Sequence, residues 1–385
     1  MKVSSEEKYL PFGRPNFSDE EIAAVTRVIR SGWIGMGPET LGFERELAGF
    51  VGAPHVVTVN SCTSALFLAL LLHGIGPGDE VVCPSLTWCS TANAALYLGA
   101  RPVFCDVDPE SLSITPETVL ARVTPRTRAV MAVHMGGLAI DVDALRSQLP
   151  PGVAVVEDAA HALGAIGSDG KPVGASGNIV CFSFYANKNL STADGGAVAL
   201  VDPDQALRLC SLRQHGLAAD AWQRFITPRA ALVAGIAELG YKMNYTDLQA
   251  AIGRVQLRRQ GEFAAVRLAI ARHYAAALPA IHPGIGMQRD LCGPGHARHL
   301  FQIRLPVERL VRSRDEILLT MRTRGIGASI HYTPLHLMPL YADPGAPALP
   351  ATEDLARRIM TLPISASMTI TDADRVLERL AELVR

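Results

Sequence analysis

Residues 181–200 read CFSFYANKNLSTADGGAVAL: an apolar run, a polar turn holding one lysine, then a glycine pair that opens a second apolar run. Runs this short, apolar nearly throughout rather than alternating, are how strands covered on both faces of a mainly parallel sheet look. Outward from this stretch, such runs recur as VVTVN from Val56, EVVCPS from Glu80, RPVFCDV from Arg101, AVMAVH from Ala129, VAVVEDA from Val153, NIVCFSF from Asn178 and GAVALV from Gly196. Helix-like stretches lie between many of them, and strand followed by helix, repeated, is the α/β pattern. From Tyr245 the texture changes. TDLQAAIGRVQLRRQGEFAAVRLAIARHYAAAL keeps helical periodicity, as one or two long helices. Beyond it HLFQIRLPV and GIGASIHY read as strands, SRDEILLTMRTRG and TDADRVLERLAELV as helices. The sequence thus predicts a large α/β domain over residues 13–245. Connecting helices and a smaller C-terminal α+β domain, joined by the N-terminal tail, fill 246–385.

Composition narrows the function. Of 385 residues 49% are apolar and 19% charged, enough to build a buried core. The formal net charge of −1 provides no whole-chain basic field for nucleic acid. No window approaches the roughly 18 apolar residues of a membrane span, and the opening MKVSSEEKYLPF lacks the apolar run of a signal peptide. Seven cysteines at scattered spacings fit reduced thiols better than a disulfide framework. The expectation is a cytoplasmic globular protein without nucleic acid or membrane insertion.

The chemistry starts at Lys188. The chain has only five lysines, Lys2, Lys8, Lys171, Lys188 and Lys242, against 31 arginines. A lysine kept where arginine is otherwise chosen suggests amine chemistry, since desolvated lysine can lose its proton and form a Schiff base and arginine cannot. A surface lysine in a loop is the alternative, so Lys188 needs companions. In VVTVNSCTSALFLAL a strand runs through a polar turn into a helix, with Thr63 and Ser64 at its N-terminus, where free N–H groups suit a phosphate. Ser61, Thr63 or Ser64 could equally cap that helix. VAVVEDAAHALGA ends a buried-type strand in Glu157 and Asp158, with His161 following; a strand-tip carboxylate sits where open α/β sheets bind ligands. Trp88, just after another strand tip, could cover a flat cofactor or act as a core or lid aromatic. Phosphate cradle, aromatic face, carboxylate and lysine, in that order, are the set that pyridoxal phosphate needs.

With these residues in place, the chain resembles the DegT/DnrJ-type sugar aminotransferases, a family of fold-type I pyridoxal phosphate enzymes. Within the family it is most similar to the UDP-4-amino-4-deoxy-L-arabinose–oxoglutarate aminotransferases. The matching stretches run nearly end to end: LPFGRPNFSDEEIAAV, SGWIGMGPET, PSLTWCSTANAA, VEDAAHALGA, FSFYANKNLSTADGG, LRQHGL, GYKMNYTDLQAAIGRVQL and GIGASIHYTPLH. The resemblance implies a large domain with a mainly parallel seven-stranded sheet. It implies pyridoxal 5'-phosphate in Schiff-base linkage to Lys188, with pyridoxamine phosphate as intermediate, and Asp158 paired with the pyridine nitrogen. Trp88 would stack on the ring and His161 lie near the ring hydroxyl. Thr63, Ser64 and Ser183 would hold the phosphate, and Asn244 would reach the phosphate of a neighbouring subunit, making a homodimer with shared active sites. Trp33, Tyr185, Lys242, His331 and Tyr332 fall in segments placed near the substrate. L-Glutamate would be the amino donor and a nucleotide-linked keto-sugar, its keto group at C4, the acceptor.

Related sugar dehydratases carry histidine in place of the lysine, so Lys188 favours transamination. The family's usual Glu before the glycine pair is Asp194 here, and Tyr185 stands where arabinose-type enzymes often have His. Competing readings are another fold-type I enzyme with a different keto substrate, and a catalytically silent sensor of the same fold. A nicotinamide dehydrogenase ranks below both, because GIGPGDE from Gly74 follows a helix and precedes a strand, the reverse of the dinucleotide fingerprint. His296 and His299, like His331 and His336, join no cluster with metal-ligand spacing, so no metal is expected.

Overall fold

A computed structural model describes residues 9–217, 225–226 and 235–384. The seven apolar runs are seven strands: β1 His55–Val59, β2 Glu80–Pro84, β3 Arg101–Cys105, β4 Thr127–Val133, β5 Ala154–Asp158, β6 Ile179–Ser183 and β7 Gly196–Leu200. They form one sheet in the order β1-β7-β6-β5-β4-β2-β3. From β3 across to β6 the neighbours are parallel, and β7 runs antiparallel to both β6 and β1.

Alternate residues of these strands enter different apolar cores, as the two-residue period of a strand requires. Val57, Val81, Met131, Val156, Cys181 and Val198 pack on one side with α3 Cys62–Leu72 and α4 Cys89–Tyr97. Val56, Val180 and Ala197 face a second cluster, built with α2 Pro38–Val51, and Val82, Val130 and Val155 a third. Both faces are covered, which is why the runs look continuously apolar. α1 Asp19–Ser31 precedes these helices, and α5 Pro116–Leu120, α6 Val142–Gln148 and α7 Pro203–Leu212 complete the layers.

The long helical stretch is two helices, α8 Asp247–Arg258 and α9 Gln260–Ile281, with non-helical backbone at Arg259 between them. A second, antiparallel sheet follows, ordered β10-β9-β8, from β8 Gly286–Met287, β9 Phe301–Arg304 and β10 Ile359–Leu362. It shares a core with α9, α10 Arg314–Thr323 and α12 Ile370–Ala381; α11 Pro350–Arg358 leads into β10.

One expected strand is absent. GIGASIHY makes only isolated bridges, Leu10 with Ile326 and Ser329 with Thr361. Its backbone is shared between two partners, so no ladder runs along it. The Leu10 N–H donates to Gly325 O and the Gly327 N–H to Leu10 O, which ties the N-terminal tail to this end of the molecule. The reading overlooked β10, which continues directly from a helix, and β8, whose two residues are too short to show a period.

Candidate active site

Parallel strands deliver their C-terminal ends to one edge of the sheet, and Asp158 is the last residue of β5. Its carboxylate is buried and accepts hydrogen bonds from Thr91 Oγ1 at 2.8 Å and the Ala160 N–H at 3.2 Å. Burial raises its pKa, and these bonds and the Lys188 charge offset that only in part. Such a carboxylate calls for a cationic N–H partner. Thr91 is there because α4 begins immediately after Trp88, which puts Thr91 in its first turn, braced by Thr87 Oγ1 at 3.0 Å.

Lys188 ends a short turn after β6, its N–H bonded to Tyr185 O. The Phe184 N–H donates to Gly195 O and the Thr192 N–H to Phe184 O, so the loop is pinned at both ends. Burial lowers the Lys188 pKa to about 8 against the opposing influence of Cys62 and Asp158. The amine is therefore far easier to deprotonate than an ordinary lysine's.

At the N-terminus of α3, Ser61 is the cap and accepts the Ser64 N–H at 3.1 Å. Ser64 in turn donates its hydroxyl to Asn60 Oδ1 at 2.7 Å. The N–H groups of Cys62 and Thr63 lie in the first turn, where no helix carbonyl can reach them, an arrangement that suits an anion. β7 starts hard against this turn: a Cβ on Gly196 would stand 2.6 Å from both the Cys62 N and the Ser61 C.

These parts meet in a cavity of about 520 Å³. Thr63, Trp88, Asp158, His161, Ser183 and Lys188 line it, and so do Tyr185, His331 and Tyr332 from the group expected near substrate. Trp88 is 58% exposed, a platform rather than a core residue, with its ring 5.7 Å from that of Tyr332. His161 accepts the Gly136 N–H on Nδ1 at 3.3 Å, which leaves the hydrogen on Nε2, 3.1 Å from Tyr332 Oη. Four expected residues lie outside this lining. Ser64 is spent on the cap. Trp33 donates to Met36 O and packs near Phe225, Lys242 bridges to Gln214, and Asn244 bonds Tyr245 O.

The sequence reading missed Thr91 as a partner of Asp158. Its position three residues after Trp88, one helical turn along, was the available signal. It also passed over His299, weighed only as a metal ligand, whose Nε2 lies 3.5 Å from Lys188 Nζ. Among the described residues no group of three or more His, Cys, Asp or Glu is disposed to hold a metal. The cradle at α3, the buried unbalanced carboxylate and the easily deprotonated lysine around one cavity fit the phosphate, ring nitrogen and aldehyde of pyridoxal phosphate.

Residues 15–381 match the model of the DegT/DnrJ/EryC1/StrS aminotransferase family. The chain belongs to that family. The aminotransferase is 39% identical over 393 residues to the spore coat polysaccharide biosynthesis protein SpsC of Bacillus subtilis, covering 100% of this chain and 99% of the relative. Among solved structures it is similar to DesI, determined in the presence of its TDP-sugar product, at 30% identity and TM-score 0.86 over 98% of this chain and 93% of that one. It is also similar to Spr1654 of Streptococcus pneumoniae, determined in PLP and PMP forms, at 27% identity and TM-score 0.87 over 97% and 98%. The fold is thus that of the fold-type I aminotransferases, and the chemistry is pyridoxal phosphate-dependent transamination of sugars.

Proposed function

We propose that the aminotransferase moves the amino group of L-glutamate onto the C4 keto group of a nucleotide-linked sugar. The observation that carries the reading is the Asp158–Lys188 pair, both buried on one cavity wall with the α3 cradle beside them. Pyridoxal phosphate, when bound, supplies an electron sink for the carbanion left at the donor's α-carbon. Lys188 Nζ tethers the cofactor and, once displaced, takes the α-proton and returns it, as base and then acid. Asp158 holds the proton on the pyridine nitrogen. The N-terminus of α3, with Thr63 and Ser183, grips the phosphate, Ser64 bracing the turn through Ser61 and Asn60, and Asn244 reaches the phosphate of the neighbouring subunit in a homodimer. Trp88 covers the ring, and His161 bonds at its hydroxyl. Tyr185, His331 and Tyr332, which line the cavity, face the sugar substrate, whereas Trp33 and Lys242 lie outside that lining.

In this reading residues 13–245 form the cofactor-binding domain and 246–385 the connecting helices and small domain. The seven cysteines are free thiols, in keeping with a cytoplasmic enzyme. Among the described residues no helix is long and apolar enough to cross a membrane.

The test is the absorption spectrum before and after L-glutamate, beside a Lys188→Ala variant. A yellow band that bleaches in the parent but is not turned over in the variant supports the reading; 2-oxoglutarate should restore the colour by reversing the donor step, a nucleotide keto-sugar should restore it as acceptor, and keto acids unrelated to either should not. A band indifferent to glutamate, or no bound cofactor, would overturn it.

A further inference from the structure

We propose that His299 is a positioning residue for Lys188: neutral, with its hydrogen on Nε2, it donates that hydrogen to the lysine amine and docks the free base at one point of the cavity wall. The proposal rests on the reading of Lys188 given above. His299 Nε2 lies 3.5 Å from Lys188 Nζ, while His299 Nδ1 is buried without a hydrogen-bond partner. A hydrogen on Nδ1 would bury an unpaired N–H, which folded proteins avoid. A hydrogen on Nε2 finds a partner in the lysine lone pair. An ammonium has no lone pair to offer, so this tautomer favours the neutral amine. The free base is also the form that can take a proton from the donor's α-carbon.

The mounting of His299 is specific. The Ala297 N–H donates to Gly137 O at 2.8 Å and the Leu300 N–H to Gly136 O at 3.0 Å. Asn189 Nδ2 holds Ala297 O at 2.8 Å, and the buried Arg267 guanidinium holds Arg298 O at 3.1 Å. Gly137 has a φ of +109°, and a Cβ there would stand 3.0 Å from Arg298 N and 3.2 Å from His299 N. The segment therefore crosses the tip of the large sheet at a distance only glycine permits, bringing the His299 ring to 4.5 Å from that of His161. The groups facing the pair are Asp158 on β5, Cys62 on α3, His161, His331 and Arg267 on α9. Burial first, with the Arg267 guanidinium adding to it, holds His299 well below the usual histidine pKa, so it stays neutral.

Competitive acetylation of the cofactor-free, full-length protein, read lysine by lysine, tests this. Lys188 should titrate near pH 8 in the parent. In His299→Leu the midpoint should rise by about one unit, roughly tenfold less reactive amine at pH 7. His299→Gln, which keeps an N–H donor, should stay near the parent value. An unchanged or lowered midpoint in a folded His299→Leu overturns the proposal. The ¹⁵N shifts of histidine-labelled wild type read the tautomer without relying on the leucine variant: a hydrogen on Nε2 supports the proposal, one on Nδ1 overturns it. Borohydride reduction with added pyridoxal phosphate separates the two failures. An adduct on a lysine other than Lys188 overturns the cofactor reading, whereas an adduct on Lys188 with a parental midpoint in His299→Leu overturns the His299 proposal alone.

Discussion

Asp158 has two hydrogen bonds and little exposure to share its charge with water, so its effect on a bound ring should be large. Asp158→Asn should leave the fold intact and slow glutamate-dependent bleaching by about 10²–10⁴-fold, in stopped-flow absorbance. A rate within threefold of the parent would remove it from the mechanism. Its neighbour Glu157 points to the other face and does a different job. It takes hydrogen bonds from His134 Nε2 at 3.0 Å, Asn178 Nδ2 at 2.7 Å and the Ser176 hydroxyl. Burial pushes its pKa up, but these donors more than offset it, and the folded value lies below the ordinary 4.5. A depressed carboxylate contributes stability above its unfolded pKa and loses it as pH falls through the folded one. Glu157→Gln should therefore cost about 1–3 kcal/mol at pH 7, with the gap to wild type closing below pH 4.5, measured by urea unfolding at both pH values. Lys188 and Asp158 were legible because composition and strand-tip position single them out. Thr91 and His299 were not, since a helical threonine and an isolated histidine acquire meaning only from what they touch.

The contact between β7 and α3 makes the cradle sensitive to one methyl group. Gly196→Ala would set a methyl group 2.6 Å from the backbone of Ser61 and Cys62, where the first-turn N–H groups face the phosphate in the proposed reading. We expect destabilisation of about 1–3 kcal/mol and a loss of cofactor retention larger than the melting shift implies, read by thermal melts with and without pyridoxal phosphate. An alanine variant that melts and binds as the parent does would show that the turn can yield. At this level the sequence was informative where burial is two-sided: all seven strands of the large sheet were visible as apolar runs. It failed at residues 325–332, where β-like composition serves a segment whose hydrogen bonds go to Leu10 on one side and Thr361 on the other. No local pattern encodes that division.

The cavity is closed by residues far apart in the chain: Asp158 and Lys188 from the seven-stranded sheet, His331 and Tyr332 from beside the three-stranded one. A second subunit adds Asn244 in the proposed assembly, and that claim has a direct test. Lys188→Ala and Asn244→Ala protomers, each inactive alone, are mixed and allowed to exchange. If Asn244 acts across the interface, random pairing restores about a quarter of the wild-type sites; if it acts within its own subunit, mixing restores none. The sequence carried the family's architecture but not this arithmetic, which depends on a surface no single chain displays.

Strand order also fixes when the site can exist. β1 lies at the edge of the sheet and pairs with β7, His55 opposite Leu200, so the strand that leads into the cradle waits for a partner made much later. Long-range closures of this kind are slow. During synthesis or refolding, the central parallel strands can assemble while the turn at the start of α3 still lacks its backstop. Cofactor capture should accordingly trail the main refolding phase rather than seed it: in a refolding time course, helical circular dichroism recovers first and pyridoxal fluorescence quenching follows.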